Sequence, residues 1–292
     1  MSDHEPQCKL VYVGTRESVE TAFAVLEPAF EDDGYAISTF EIDDALAKRE
    51  LSIYVPVSQG EHVLQHAKEI SGLDFGIEEI PDVDWVTKSL EGLAPVRAKR
   101  FVVHGSHDRA VIQPNDISIE IDAGQAFGTG HHGTTFGCLT LMQRLIARRR
   151  PRNILDLGTG SGVLAIGATK LAKTCVLATD IDPIATRVAK TNAKLNGVQG
   201  FVNFQTATGF GNRVFADTGP FDLIIANILP RPLMAMASDI GRHIETSGDL
   251  LLSGILTSQR MRVLSAFRLQ GFFHVKTQES DGWVTLHLRK RR

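Results

Sequence analysis

The stretch ILDLGTGSGVLAIGATKLA, residues 154–172, decides the fold class. An apolar strand that ends at Asp156 is followed by Gly158, Gly160 and Gly162, and then by an apolar run that opens a helix. Glycines permit a tight turn and let a ligand approach the backbone closely, and a helix that begins there offers free N–H groups. The stretch therefore predicts a strand–turn–helix unit at the ligand-binding edge of an α/β sheet.

The spacing of this turn differs from that of the dinucleotide-binding fingerprint. In GxGxxG, counted from Gly158, the third glycine would fall where this chain has Val163. Asp156, ahead of the first glycine, suits a ligand that bears an ammonium group and would repel a pyrophosphate. A turn with a purely structural role is the alternative, and the flanking strand, helix and acid disfavour it.

A second acid closes the next predicted strand, CVLATD. Asp180 lies 24 residues beyond Asp156 and can accept hydrogen bonds from both hydroxyls of a ribose. Asp182 precedes Pro183, a pattern typical of a helix cap. We therefore expect Asp180 to bind a ribose and Asp182 to be structural.

A third signal is FDLIIANILPRPL, residues 221–233, in which a buried strand ends at Asn227. An Asn at the carboxyl end of a strand lies over the ligand crevice, where its amide oxygen can accept a hydrogen bond from an amino group. The alternative is a helix cap, a common role for Asn at such a place.

The loop QAFGTGHHGTT, residues 125–135, combines glycines and threonines ahead of a predicted helix. Such a loop offers flexible backbone and hydroxyl donors to a small ligand. His131 and His132 are adjacent, so they cannot share one helix face as metal ligands at i and i+4 would. We expect no metal site here.

Around these motifs the chain alternates between strands and helices from residue 126 to residue 292. Five strand–helix alternations, followed by two strands joined at residues 278–282, predict a Rossmann-like doubly wound sheet of seven strands with an antiparallel final hairpin. Residues 1–80 follow the order βαββαβ, which predicts a small ferredoxin-like α+β domain. Residues 81–125 are expected to form a linker region, with a short helix at 84–93.

Composition excludes several classes of protein. The 292 residues are 43% hydrophobic and 22% charged, ordinary values for a globular protein of about two domains. We find no apolar run long enough to span a membrane and no signal-peptide pattern. Three scattered cysteines suggest neither disulfides nor a zinc cluster. The sequence thus predicts a soluble cytoplasmic protein.

Charge is unevenly divided along the chain. Residues 1–92 hold 20 acidic and 6 basic residues, a net charge of −14, whereas residues 93–292 carry +11. The acidic part would attract a basic partner, although a solvated acidic surface is an equal alternative. The basic runs 148–152 and 289–292 are interpreted as helix-end and tail charges, because neither has aromatic residues nearby in the sequence.

Taken together, these motifs resemble the S-adenosylmethionine-dependent methyltransferases, and more narrowly the bacterial ribosomal protein L11 methyltransferase family. The narrower resemblance rests on AFGTGHHGTT, the glycine motif with DIDP at 180–183, NILPRPL at 227–233 and LSGIL at 252–256. It implies S-adenosylmethionine contacts at Thr135, Gly158, Asp180 and Asn227. Further contacts are implied at Phe127, Gly128, Thr129, Asp156, Gly160 and Gly162.

The resemblance also implies a reaction: methyl transfer to lysine ε-amines, and in some members to the terminal α-amine, of ribosomal protein L11. The acidic N-terminal domain would bind this protein substrate, without a nucleic-acid requirement. Asn227, together with the backbone of Ile228 and Leu229, is the candidate for orienting the amine. The alternatives are a protein-glutamine or nucleic-acid amino methyltransferase, which has Pro-Pro-aromatic after the corresponding Asn or Asp, and a non-catalytic S-adenosylmethionine-binding assembly factor.

Overall fold

The computed structural model describes residues 7–31, 35–43, 48–79, 95–121 and 132–292. The chain divides into two compact units, Met1–Trp85 and Val86–Arg292. The helix expected at residues 84–93 and most of the glycine-rich loop, residues 122–131, lie outside the described residues. No helix in the described ranges is long and apolar enough to cross a membrane.

The first unit is a four-stranded antiparallel sheet with two helices. Its elements are β1 (Gln7–Thr15), α1 (Arg16–Glu31), β2 (Ala36–Asp43), β3 (Lys48–Pro56), α2 (Gly60–Ser71) and β4 (Gly76–Glu79). The strands lie in the order β2-β3-β1-β4, which confirms the predicted ferredoxin-like topology. Leu10, Leu26 and Ile53 are fully buried in a core made only of residues from this unit.

A small sheet comes next, with strands β5 (Val96–Ala98), β6 (Phe101–His104) and β7 (Ile117–Glu120) in that order. Phe101 and Ile119 are fully buried and share a hydrophobic core with Leu139 and Ile166 of the second unit. Residues 95–121, which we expected to belong to a linker region, are therefore packed into the second unit. The apolar side chains of this segment pack against helices of the second unit. Only this packing shields them from water.

The large sheet of the second unit has seven strands. They are β8 (Ile154–Leu157), β9 (Val176–Asp180), β10 (Val202–Thr206), β11 (Phe221–Asn227), β12 (Ile244–Leu256), β13 (Phe272–Ser280) and β14 (Trp283–Lys290). Their order is β10-β9-β8-β11-β12-β14-β13. The first five are parallel, and β14 runs antiparallel to both of its neighbours, which confirms the predicted final hairpin.

Helices cover both faces of this sheet. They are α3 (His132–Arg149), α4 (Val163–Ala172), α5 (Pro183–Leu195), α6 (Val214–Thr218), α7 (Pro230–Ala235), α8 (Ala237–His243) and α9 (Arg260–Leu269). Residues of α3, α4 and α5 share one core with Ile154 and Ile225, whereas residues of α7, α8 and α9 share a second core with Leu155 and Ile224. Neighbouring strand residues thus alternate between the two cores, as a sheet buried on both faces requires.

Close packing fixes the start of α3 against the final hairpin. A Cβ atom at Gly137 would lie 2.1 Å from the Thr285 hydroxyl, and one at Gly133 would lie 2.5 Å from the carbonyl oxygen of Ser280. Glycine at both positions lets the helix approach β14 and the end of β13. This contact sets the position of Thr135, which lies between the two glycines and is buried.

Candidate functional site

The glycine turn is held in conformations that favour glycine. Gly158, Gly160 and Gly162 have φ values of +74°, +54° and +85°. A Cβ atom at Gly158 would lie 2.3 Å from Cγ2 of Ile228, and one at Gly162 would lie 3.0 Å from Cβ of Ala189. Both the backbone conformation and the space at this turn therefore exclude a larger residue, as the sequence pattern predicts.

Asp180 lies at the end of β9, beside this turn. One carboxylate oxygen accepts a hydrogen bond of 2.8 Å from the N–H of Gly160, and the other accepts one of 3.0 Å from the N–H of Asp182. Each oxygen keeps further acceptor capacity, because a carboxylate offers about four lone-pair sites. The backbone thus fixes the carboxylate and leaves acceptors for a ligand.

Asp182 has the structural role that the sequence predicts. Its side chain accepts a hydrogen bond of 2.7 Å from the N–H of Ile184, and Pro183 is the first residue of α5. The carboxylate therefore caps α5, which begins at Pro183 shortly after Asp180. This capping contact fixes the backbone that follows Asp180.

Asp156 is fully buried below the turn, in the middle of β8. Its Oδ2 accepts hydrogen bonds from the Thr159 hydroxyl at 2.7 Å and from the N–H of Ala165 at 3.0 Å. Its Oδ1 is buried and has no hydrogen-bond partner in the described part of the chain. Burial raises the pKa of Asp156 to about 7; the two hydrogen bonds oppose this rise and the charge of Asp180 adds to it. A buried acceptor of this kind costs about 1–3 kcal/mol, which a donor on a ligand would relieve.

Asn227 ends β11 and pairs in register with Ser253 of β12. The neighbouring strand β8 ends beside it, since Ala226 pairs with Leu157. The helix-cap alternative is not found: Leu229, and not Asn227, is the N-cap residue of α7, and no side chain caps that helix. The Asn227 amide, which is partly exposed, therefore remains at the carboxyl edge of the sheet, the edge at which Asp180 and the glycine turn also lie.

Ile228, which sequence reasoning singled out only for its backbone, also has a packing role that it did not anticipate. Its side chain faces Gly158, and its backbone faces Gly254 (φ +80°), where a Cβ atom would lie 2.5 Å from the Ile228 carbonyl oxygen. Ile228 therefore fills the space between the strand ends of β8 and β12. The glycine of LSGIL was the signal in the sequence, although nothing there identified Ile228 as its partner.

The remaining predicted contacts are only partly described. Thr135 is buried in the first turn of α3, while Phe127, Gly128, Thr129 and His131 lie outside the described residues. Next to it, Thr134 accepts through its carbonyl oxygen a hydrogen bond of 3.4 Å from the buried Ser253 hydroxyl. In the described ranges no group of three His, Cys, Asp or Glu side chains could hold a metal ion.

These groups together form a candidate ligand site. A fixed carboxylate, a tight glycine turn at a helix start, and an unsatisfied buried acceptor lie at one edge of a parallel sheet. This set suits a small molecule with a diol and an ammonium group, and Asn227 at the same edge could contact a second reactant.

Comparisons with known proteins agree with this geometry. The model of the family "Ribosomal protein L11 methyltransferase (PrmA)" matches residues 15–291. The ribosomal protein L11 methyltransferase of Rhizobium meliloti (strain 1021) is 53% identical over 290 residues, which cover 97% of this chain and 99% of the relative. The enzyme of the same name from Sinorhizobium fredii is 51% identical over 289 residues, with the same coverage.

A solved structure has the same architecture. The crystal structure of a ribosomal protein L11 methylase from Lactobacillus delbrueckii subsp. bulgaricus superposes with a TM-score of 0.60 at 29% sequence identity. It covers 68% of this chain and 100% of its own. With the family match over nearly its whole length, the chain belongs to the ribosomal protein L11 methyltransferase family.

Proposed function

We propose that this protein transfers methyl groups from S-adenosylmethionine to lysine ε-amino groups of ribosomal protein L11, with the terminal α-amine as a second acceptor. The observation that carries the proposal is the Asp180 carboxylate, held by two backbone N–H groups beside the glycine turn. The printed function of relatives that are 51% and 53% identical supports the choice of substrate. We expect the reaction to occur in the cytoplasm, where ribosomal proteins are made.

The described residues fit S-adenosylmethionine part by part. Asp180 has acceptors for the two ribose hydroxyls, and the glycine turn gives the ligand close access to backbone N–H groups. The unsatisfied Oδ1 of Asp156 favours the positively charged ammonium group of S-adenosylmethionine nearby. Thr135, Phe127, Gly128 and Thr129 complete the proposed set. When bound, S-adenosylmethionine supplies a methyl group that its sulfonium makes electrophilic.

The protein side of the reaction is mainly positioning. A lysine of pKa about 10.4 is mostly protonated at neutral pH, so the crevice has to favour the uncharged amine by desolvation, or water has to take the proton. The Asn227 amide oxygen, with the backbone carbonyls of Ile228 and Leu229, can accept hydrogen bonds from the amine and orient it. Ile228 is packed against Gly158 and Gly254, so these acceptors are held in place.

The first prediction tests the activity and its acceptor. Purified enzyme incubated with methyl-labelled S-adenosylmethionine and ribosomal protein L11 should label that protein, with the label on lysine residues in mass spectra of its peptides. Label on glutamine, or on nucleic acid in a ribosomal mixture, would favour the other amino methyltransferases. Tight cofactor binding without any transfer would favour the non-catalytic assembly factor.

The second prediction concerns Asp180. Asp180→Ala should weaken S-adenosylmethionine binding about ten- to hundredfold, because hydrogen bonds to a charged acceptor contribute roughly 1.5–3 kcal/mol. Titration calorimetry measures the affinity. The matched control is Asp182→Ala, which should mainly lower the melting temperature through loss of the α5 cap. Unchanged affinity in a folded Asp180 variant would refute the ribose assignment.

The third prediction concerns Asn227. Asn227→Ala should lower kcat about tenfold or more and weaken S-adenosylmethionine binding by a smaller factor, because the more important of its lost contacts is made with the reacting amine. Single-turnover kinetics and calorimetry separate the two quantities. Asn203→Ala, on the edge strand β10, is the control and should change neither. Weak cofactor binding with a normal single-turnover rate would exclude the orienting role.

The first unit is proposed to recognise the protein substrate. Residues 1–92 carry a net charge of −14, and ribosomal proteins are usually basic because they contact RNA. Opposite potentials accelerate association and make it sensitive to ionic strength. The second unit, by contrast, carries the ligand site and a positive net charge.

The fourth prediction tests this division of roles. Removal of residues 1–85 should leave S-adenosylmethionine binding within about twofold, because the two units have separate cores. The kcat/KM for ribosomal protein L11 should fall about ten- to a thousandfold. In the intact enzyme it should fall as salt rises above about 0.15 M, where the Debye length is near 8 Å. Full activity of the truncated enzyme would contradict the proposed recognition role.

A further inference from the structure

Two basic runs that lie far apart in the sequence meet at one carboxylate. Nε of Arg149, at the end of α3, lies 3.2 Å from Oδ2 of Asp249, and Nε of Arg289, on β14, lies 2.8 Å from Oδ1. The second guanidinium nitrogen of Arg149 also donates to the carbonyl oxygen of Ser247 at 3.1 Å. The runs 148–152 and 289–292 therefore belong to one surface, which we name the arginine surface.

Asp249 is enclosed by positive groups. It is 2% exposed, and His287 contacts it at 2.7 Å in addition to the two arginines, which remain 45% and 28% exposed. Burial would raise the pKa of Asp249, but hydrogen bonds from His287 and Arg289 outweigh that effect and lower it. The carboxylate is thus charged and holds both arginines in place. Its single negative charge does not neutralise their two positive charges.

The same two basic runs contain more positive charge. Arg148, Arg150, Arg152 and Arg291 are exposed. Lys276 pairs with His287 across β13 and β14, so its side chain lies on the same face of the sheet. The arginine surface therefore carries a strong positive field, and a basic ribosomal protein would be repelled by it.

The same face presents an aromatic side chain that was not expected there from the sequence. Phe273 pairs in register with Arg289 across β13 and β14, which places both side chains on one face, and it is 38% exposed. Strand β13 is the edge of the sheet, and among the described residues no further strand pairs with its outer side. The interpretation of the basic runs as isolated helix-end and tail charges is therefore incomplete: their folded arrangement has an aromatic neighbour.

We infer that the arginine surface binds single-stranded RNA, with the arginines on the phosphates and Phe273 stacked on a base. Guanidinium groups match phosphate geometry with paired N–H donors, and every base offers a face for stacking. Ribosomal proteins occur beside RNA, so an RNA contact would keep the enzyme near its protein substrate. The inference extends the proposed function, and its test measures RNA binding without methyl transfer.

The fifth prediction tests the charged part of the surface by fluorescence anisotropy with a labelled 20-nucleotide single-stranded RNA. The triple variant Arg148→Gln, Arg150→Gln and Arg291→Gln keeps the two arginines that hold Asp249. It should bind about tenfold or more weakly at 0.1 M KCl. Its plot of log affinity against log salt should be shallower by about 2, since each phosphate contact on a single strand contributes about 0.7.

A matched control carries the same change of charge elsewhere. Arg187→Gln, Arg213→Gln and Arg262→Gln replace three exposed arginines outside the arginine surface and should weaken RNA binding by less than about twofold. Phe273→Ala should weaken it about tenfold, whereas Phe201→Ala, at an exposed phenylalanine before β10, should not. Melting curves and S-adenosylmethionine affinity verify that each variant is folded.

Three results would overturn the inference. The intact protein could fail to bind the RNA at micromolar concentration. The surface variant and the control could lose affinity equally, which would mean only diffuse attraction to a positive protein. The surface variant could instead change the oligomeric state in light scattering and leave RNA binding unaltered, which would identify an acidic unit of a second copy as the occupant.

Discussion

The candidate ligand site depends on the close packing of Ile228 between two glycines. Gly158 begins the turn after β8 and Gly254 lies within β12, and a Cβ atom at either would overlap Ile228. Because neither glycine has a side chain, Ile228, the first residue after β11, can pack between them. Asn227 precedes Ile228 directly, so the same contact fixes the side chain that we assign to the amine.

Asp156 shows how the fold tolerates a locally unfavourable group. A buried carboxylate with one unsatisfied oxygen and a pKa of about 7 makes the fold less stable at alkaline pH, where burial disfavours the charged form. The folded pKa is raised, so stability is highest below the unfolded value of about 3.9 and falls as pH rises through 7. A ligand with an ammonium group would offset the cost of burying the charged Asp156 carboxylate. This is a physical reason for an acid at this position.

Local sequence was sufficient for the elements and for part of the site. Short apolar runs predicted the seven strands, because strands buried on both faces need them, and Asp182 before Pro183 predicted the α5 cap. Contacts between distant residues were not predictable. Nothing near Ile228 indicates that Gly254 adjoins it, and no local pattern shows that residues 95–121 pack into the second unit.

The acidic and basic parts of the chain correspond to its two compact units, each of which has its own core. A net charge of −3 would suggest a nearly neutral protein, yet residues 1–92 carry −14 and the remainder +11. If these charges alternated, their fields would cancel within a Debye length of about 8 Å. Because each sign belongs to its own compact unit, each field can extend into solvent. The unit that would attract a basic protein is thereby distinct from the unit that carries the candidate ligand site, and the arginine surface lies on the latter.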